Sequence, residues 1–188
     1  MWIRNRSNVP MTETALLAPC THHVAPDCRR RILFVGAERT DEFARAMRLA
    51  SQGHIVTVVN PSETAAAREY RRAGGRFIRA RIESLAPAVG PFHVICENYP
   101  YPFPSALNYS TTKTYALARL VRLAIGGRWV VFTENPRLSI ILAAVARHGP
   151  AVRDFFRLRL SELSPALAPS STYLRRRTRY RLIFQRVR

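Results

Sequence analysis

From Arg29 onward the chain alternates short apolar runs with amphipathic stretches, and this alternation restricts the fold more than any other feature. Such a pattern builds a parallel sheet flanked by helices. Ile32-Leu33-Phe34-Val35 reads as a first strand stopped by Gly36. A helical stretch follows, with Phe43, Ala46, Met47 and Ala50 on one face, Asp41 and Glu42 in its first turn and Gly53 at its end. His54 to Val59 is largely β-branched and reads as the second strand. Asn60 is expected to cap the next helix, with Pro61 in its first position and Glu63 three residues on. Gly74-Gly75 ends that helix, Arg76 to Ile82 alternates as a third strand, and Phe92 to Cys96 forms a fourth.

After the fourth strand, Pro100, Pro102 and Pro104 interrupt Glu97 to Pro104, a composition that suits a loop and neither a helix nor an inner strand. Leu117, Leu120, Val121 and Ala124 give a helical face stopped by Gly126-Gly127, and Trp129 to Thr133 is a fifth strand. Ile140 to Val145 belongs to a further helix. Phe155 to Leu163 and Tyr180 to Val187 then read as two strands with no helical pattern between them, so they should pair antiparallel. The expected fold class is α/β: a three-layer Rossmann-like sandwich around a mostly parallel, seven-stranded sheet with an antiparallel C-terminal pair. Residues 1–28 lack either periodicity and read as a flexible N-terminal tail, leaving 29–188 as the domain.

The chain has 188 residues, with 30 basic side chains against 12 acidic ones and a formal charge of +18. Lys113 is the only lysine. Arginine supplies a planar fork for phosphate and a face that stacks on bases, so this excess invites a polyanion such as RNA, while genome base composition or a merely solvated surface would also account for it. Arg175, Arg176, Arg177 and Arg179, interleaved with Tyr173 and Tyr180, could grip a phosphate backbone; they could equally form the charged face of an edge strand. No apolar run approaches the roughly 20 residues of a membrane-spanning helix. Met1 to Pro10 carries polar and charged residues where a secretory signal would be continuously apolar, and three cysteines make no even disulfide framework. Both features lead us to expect a cytoplasmic protein that does not enter membranes. Cys20, His22, His23 and Cys28 are metal-ligand types in no standard spacing, so no metal site is expected.

In an open parallel sheet, ligands bind at the carboxyl ends of the strands, near the point where strand order reverses. That rule selects Gly36 to Thr40, Asn60 to Glu63 and Glu97 to Pro104. Gly36 permits a tight turn beneath a ligand, and the following helix offers its first amide groups.

In their order and spacing these pieces resemble the class I S-adenosylmethionine-dependent methyltransferases. The likeness runs from about Arg29 to Arg188 and rests on three stretches: Ile32-Leu33-Phe34-Val35-Gly36, the fourth-strand stretch Phe92 to Tyr101, and Leu117 to Thr133 with its Gly126-Gly127. Asn98-Tyr99-Pro100-Tyr101 is similar to the Asn-Pro-Pro-Tyr motif of methyltransferases acting on amino groups, and to the Asn-Phe-Pro-His form of a ribosomal RNA uridine N3 methyltransferase family. The resemblance implies S-adenosylmethionine as cofactor, held by Gly36, Glu38, Asn60, Glu63 and Glu97. It also implies an N–H substrate, for which a nucleic acid is favoured by the charge, presented to Asn98 and Tyr101. An asparagine carbonyl can accept from a planar N–H group while a tyrosine ring stacks on it. The sequence departs from the family where Ala37-Glu38-Arg39 replaces further glycines and Asn60 stands in the usual acidic position. Those departures support a second reading, an inactive methyltransferase-like domain that binds RNA or protein. A nicotinamide-dinucleotide domain is a third, but the Gly-x-Gly-x-x-Gly fingerprint is absent.

Overall fold

The computed structural model describes residues 29–86, 88–98, 116–134, 137–146, 154–163 and 179–188. Their elements are β1 (Arg31–Val35), α1 (Thr40–Ser51), β2 (Ile55–Asn60), α2 (Ala65–Arg72), β3 (Arg76–Arg79), β4 (Phe92–Asn98), a helical turn over 116–120 (α3), β5 (Leu123–Glu134), α4 (Arg137–Ala146), β6 (Phe156–Leu163) and β7 (Arg179–Arg186). One seven-stranded sheet runs in the order β3-β2-β1-β4-β5-β7-β6. The strands from β3 to β5 are parallel, and β7 pairs antiparallel with both β5 and β6. The strand order therefore reverses between β1 and β4, and the mixed sheet matches the expected fold class.

Period-two alternation divides the sheet residues between two cores. Ile32, Phe34, Val56, Val58, Val94, Cys96, Val130 and Phe132 face α1 and α2, where they meet Phe43, Ala46, Leu49, Ala67 and Tyr70. Leu33, Val35, Val59, Ile95, Trp129, Val131, Leu182 and Phe184 face the other way, onto α3 and α4. With both faces covered, the central strands must read as continuous apolar runs, and this made them legible. Trp129 stacks on Phe184 at 4.7 Å, joining the parallel and antiparallel parts of the sheet.

Several boundaries differ from expectation for identifiable reasons. The second helix begins at Ala65, because Thr64 caps it by accepting from the Ala67 amide at 3.2 Å; Asn60 instead ends β2. β3 stops at Arg79, and Ile82–Ser84 forms a 3₁₀ turn. Gly126-Gly127 does not end a helix but lies inside β5. Gly126 has φ +78°, and a Cβ on Gly127 would lie 2.8 Å from both the Ala124 and Phe92 carbonyl oxygens. The glycines thus permit the register shift between β4 and β5 at Phe92/Val94. Leu117 and Val121, expected on a buried face, are exposed, whereas Ala116, Ala118, Arg119 and Leu120 are buried. β4 continues to Asn98, so Glu97 and Asn98 are strand residues. The expected tail over 1–28, the loop carrying Tyr101, and Arg175, Arg176 and Arg177 lie outside the described residues. Among the described residues, no helix is long and apolar enough to cross a membrane, and no cluster of metal-ligating side chains occurs.

Candidate functional site

The carboxyl ends of β1, β2 and β4 lie side by side. Val35 pairs with Val59 on one side and with Glu97 on the other, so the next positions, Gly36, Asn60 and Asn98, share one row across the sheet. Gly36 turns the chain with φ +69°, in the left-handed region that favours glycine, and its amide donates to the Val59 carbonyl at 2.8 Å. A Cβ built there would meet nothing within 4 Å. Among the described residues, the corner above β1 is therefore open at the switch point of the sheet, where α/β folds place their ligands.

Side chains tie the three corners together. Asn60, buried at 2% exposure, donates from Nδ2 to the Ala37 carbonyl at 2.8 Å and accepts at Oδ1 from the Ser62 amide at 2.9 Å. It fixes the β1 corner against the β2 turn with both ends of its amide engaged. Glu42 was not singled out from the sequence beyond its place in the first turn of a helix. Its Oε2 accepts from the Glu38 amide at 2.9 Å and the Arg39 amide at 3.0 Å, and its Oε1 accepts from Asn98 Nδ2 at 2.7 Å. The carboxylate thus takes the two amides of the turn just before the helix, which are then not free for a ligand. The signal for Glu42 was its spacing three residues after Arg39, which is half of a capping box without the usual hydroxyl partner.

The Glu42 contact also fixes the chemistry of Asn98. An ionised carboxylate only accepts, so Asn98 must turn its NH₂ toward Glu42, which leaves its carbonyl as the end available to a ligand. A half-buried acceptor is thereby oriented on the row that includes Gly36.

Glu97 is engaged elsewhere. It lies on the opposite face of β4, where Arg119 grips it at 3.0 and 3.2 Å and Trp129 Nε1 donates to it at 3.2 Å. Arg119 also reaches Glu83 at 2.7 Å, so an ion network runs from the buried Glu97–Arg119 pair to the exposed Glu83. Arg119 is a second residue the sequence reading missed; a lone base inside Ala116–Val121, opposite an acid in an apolar strand, was the available signal. Glu38 stands exposed beside the β1 corner, and Glu63 lies beyond β2 paired with Arg71 at 2.7 Å. Arg179 opens β7, with its backbone paired to Glu134 and Leu163. Burial pushes the Cys96 thiol up to about 11, so it is a protonated core residue and not a nucleophile.

This sheet order, with the open corner at its switch point, is the fold of class I S-adenosylmethionine-dependent methyltransferases. Among solved structures, the chain is similar to a predicted O-methyltransferase from Agrobacterium tumefaciens at 20% identity and TM-score 0.56, covering 87% of this chain and 76% of that one. It is similar to an rRNA methylase from Streptococcus thermophilus at 15% identity and TM-score 0.56, covering 85% and 89% respectively. The plantazolicin methyltransferase BpumL in complex with SAH aligns at 11% identity and TM-score 0.58, covering 84% and 76%. No protein-family model and no curated protein matches the chain.

Proposed function

We propose that the protein is an S-adenosylmethionine-dependent methyltransferase acting on an N–H group of a nucleic acid. The observation that carries this reading is the 2.7 Å hydrogen bond that holds Asn98 by its NH₂ group and frees its carbonyl, on the same row as the open corner at Gly36. The fold supports it, as do an SAH-bound neighbour and an rRNA methylase neighbour. A nucleoside-bearing cofactor would lie over the open corner at Gly36. Gly36 would lie beneath it, and the exposed Glu38 carboxylate beside that corner is suited to accept from hydroxyls or an ammonium; Glu63, held by Arg71 through Oε1, would offer its second oxygen. Asn60 acts from behind by pinning the Ala37 carbonyl, and Glu97 supports β4 through Arg119.

When bound, the cofactor supplies an electrophilic methyl group on a sulfonium. Asn98 would accept a hydrogen bond from the substrate N–H and thereby aim the nitrogen lone pair, the proton of that nitrogen passing to water as the methyl group is taken up; Tyr101, outside the described residues, is given the stacking role by the family resemblance alone. Alignment supplies most of such a rate enhancement, and the loss of one positioning contact costs about 100-fold. The test is transfer of labelled methyl groups to bulk RNA. The native protein should label RNA, and Asn98→Ala should lower the rate by about 100-fold while cofactor binding persists. Native protein that binds cofactor but labels no N–H acceptor contradicts the proposal.

A second reading, a catalytically inactive domain that binds RNA or protein, is favoured by one specific observation. The Glu38 and Arg39 amides are already taken by Glu42, and Asn60 has both ends of its amide engaged. RNA binding without methyl transfer or cofactor binding is the result that reading predicts.

A further inference from the structure

The registers of the antiparallel strands place a set of arginines on one face of the sheet. Arg157, Arg159 and Ser161 of β6 pair with Gln185, Ile183 and Arg181 of β7, and those in turn pair with Arg128, Val130 and Phe132 of β5. Val130 and Phe132 belong to the core beneath α1 and α2, so the whole set lies on that side of the sheet. The opposite side of β6 and β7 carries Leu158, Leu160, Leu182 and Phe184, packed into the other core. From Arg128 to Phe132 and across to β6, no acidic residue among the described residues of these strands occupies the arginine face; one row further on, Glu134 and Arg179 stand opposite each other in the register.

Arg157 and Arg159 are exposed and Arg181 is half-buried, and among the described residues none of the three makes an ion pair. Arg181 Nε is buried without a hydrogen-bond acceptor. An unsatisfied buried guanidinium N–H is costly, and an incoming anion would relieve it. The spacing follows from strand geometry: Arg157 and Arg159 lie ~7 Å apart along β6, and Arg159 and Arg181 are diagonal neighbours at ~7–8 Å. Like charges this close repel one another unless an anion lies over them. Charge at an edge strand can simply block sheet-to-sheet aggregation, but that role needs neither a single sign nor an inner strand, and Arg181 lies on β7, inside the edge.

We propose that Arg157, Arg159 and Arg181 form a phosphate-binding track for single-stranded RNA, along the face of β6 and β7. Asn98 pairs with Phe132, and Phe132 with Arg181, so the track meets the candidate site on one row. Two strand spacings, ~10 Å, separate Arg181 from Asn98. On β6 and β7 the described face offers cations and a half-buried Ile183, and the one ring in its rows, Phe132 of β5, is buried, so the face holds the backbone and not the bases, and binding should tolerate sequence. The delivery of a nucleotide to Asn98 rests on the methyltransferase reading; the binding track itself does not.

The test is fluorescence anisotropy with the full chain and a labelled single-stranded RNA of about 15 nucleotides, long enough for one such module. The double variant Arg157→Glu/Arg159→Glu, and its neutral counterpart Arg157→Gln/Arg159→Gln, should weaken binding by about ten-fold or more, and should lower the slope of log affinity against log salt by about 1.4. The control Arg72→Glu/Arg76→Glu makes the same charge change at exposed positions on α2 and β3 and should stay within about two-fold of native. Equal losses in both Glu variants would show general attraction by net charge and overturn the proposal, as would no loss in either. Polyglutamate competing as well as RNA would overturn it in favour of an acidic protein partner. If RNA binds through the track but no methyl group is transferred, the track stands and the enzymatic reading falls.

Discussion

At the scale of single residues, two charged side chains organise the strand ends, and neither was conspicuous in the sequence. Glu42 accepts from three N–H groups belonging to two different elements. In Glu42→Gln one oxygen becomes a donor, so at least one part-buried N–H loses its acceptor; urea unfolding should show a loss of about 1 kcal/mol. Asn98 should also lose its fixed orientation, so methyl transfer should fall more than cofactor affinity does. Arg119 neutralises Glu97 inside the opposite core. Arg119→Ala would leave a buried carboxylate unpaired, and unfolding should show a loss of about 3–5 kcal/mol. Asn98 was singled out by the resemblance of Asn98-Tyr99-Pro100-Tyr101 to a methyltransferase motif. Glu42 and Arg119 were not, because their partners are 56 and 22 residues distant in sequence and only the folded sheet brings them together.

At the scale of elements, the strands were the most legible part, since burial on both faces leaves little room for polar residues. Where prediction failed, a short-range signal had two physical uses. Gly126-Gly127 looked like a helix stop but serves a close crossing of backbones in β5, and Asn60-Pro61 looked like a helix start but serves the β2 corner. Gly127→Ala would drive a methyl group into two carbonyl oxygens; since backbone must shift, we expect a loss of about 1–3 kcal/mol by thermal or urea unfolding. The start of β1 carries a pH dependence. The Arg31 amide donates to His93 Nδ1 at 3.0 Å and the Arg30 amide to His54 Nδ1 at 3.4 Å, contacts that require the unprotonated nitrogen. Burial first, then the nearby arginines, lowers the pKa of both histidines in the folded state. The unfolded chain therefore takes up protons first as pH falls. The stability from these contacts is complete above the ordinary histidine value of about 6.5 and is lost as pH falls through it toward the lower folded values. Melting temperature measured from pH 8 to pH 5 should fall below about 6.5, and less steeply in His93→Gln.

At the scale of the whole molecule, the alternation of strands and helices was enough to give seven strands with an antiparallel end, and the structure adds the order β3-β2-β1-β4-β5-β7-β6 that brings Gly36, Asn60 and Asn98 onto one row. No local pattern encodes that row, because it depends on register. The charge of +18 was plain in the sequence, but its placement was not, since alternation on β6 and β7 sorts arginines from leucines only once the strands are paired. The account depends on the free space above Gly36 being a binding site for an adenosyl group. Isothermal titration of the full chain with S-adenosylhomocysteine tests this most directly, alongside Gly36→Trp, whose side chain would fill that space. One molecule bound per native chain, with binding abolished in the variant, is the predicted result; no heat of binding in the native protein, or equal binding by both, would contradict it.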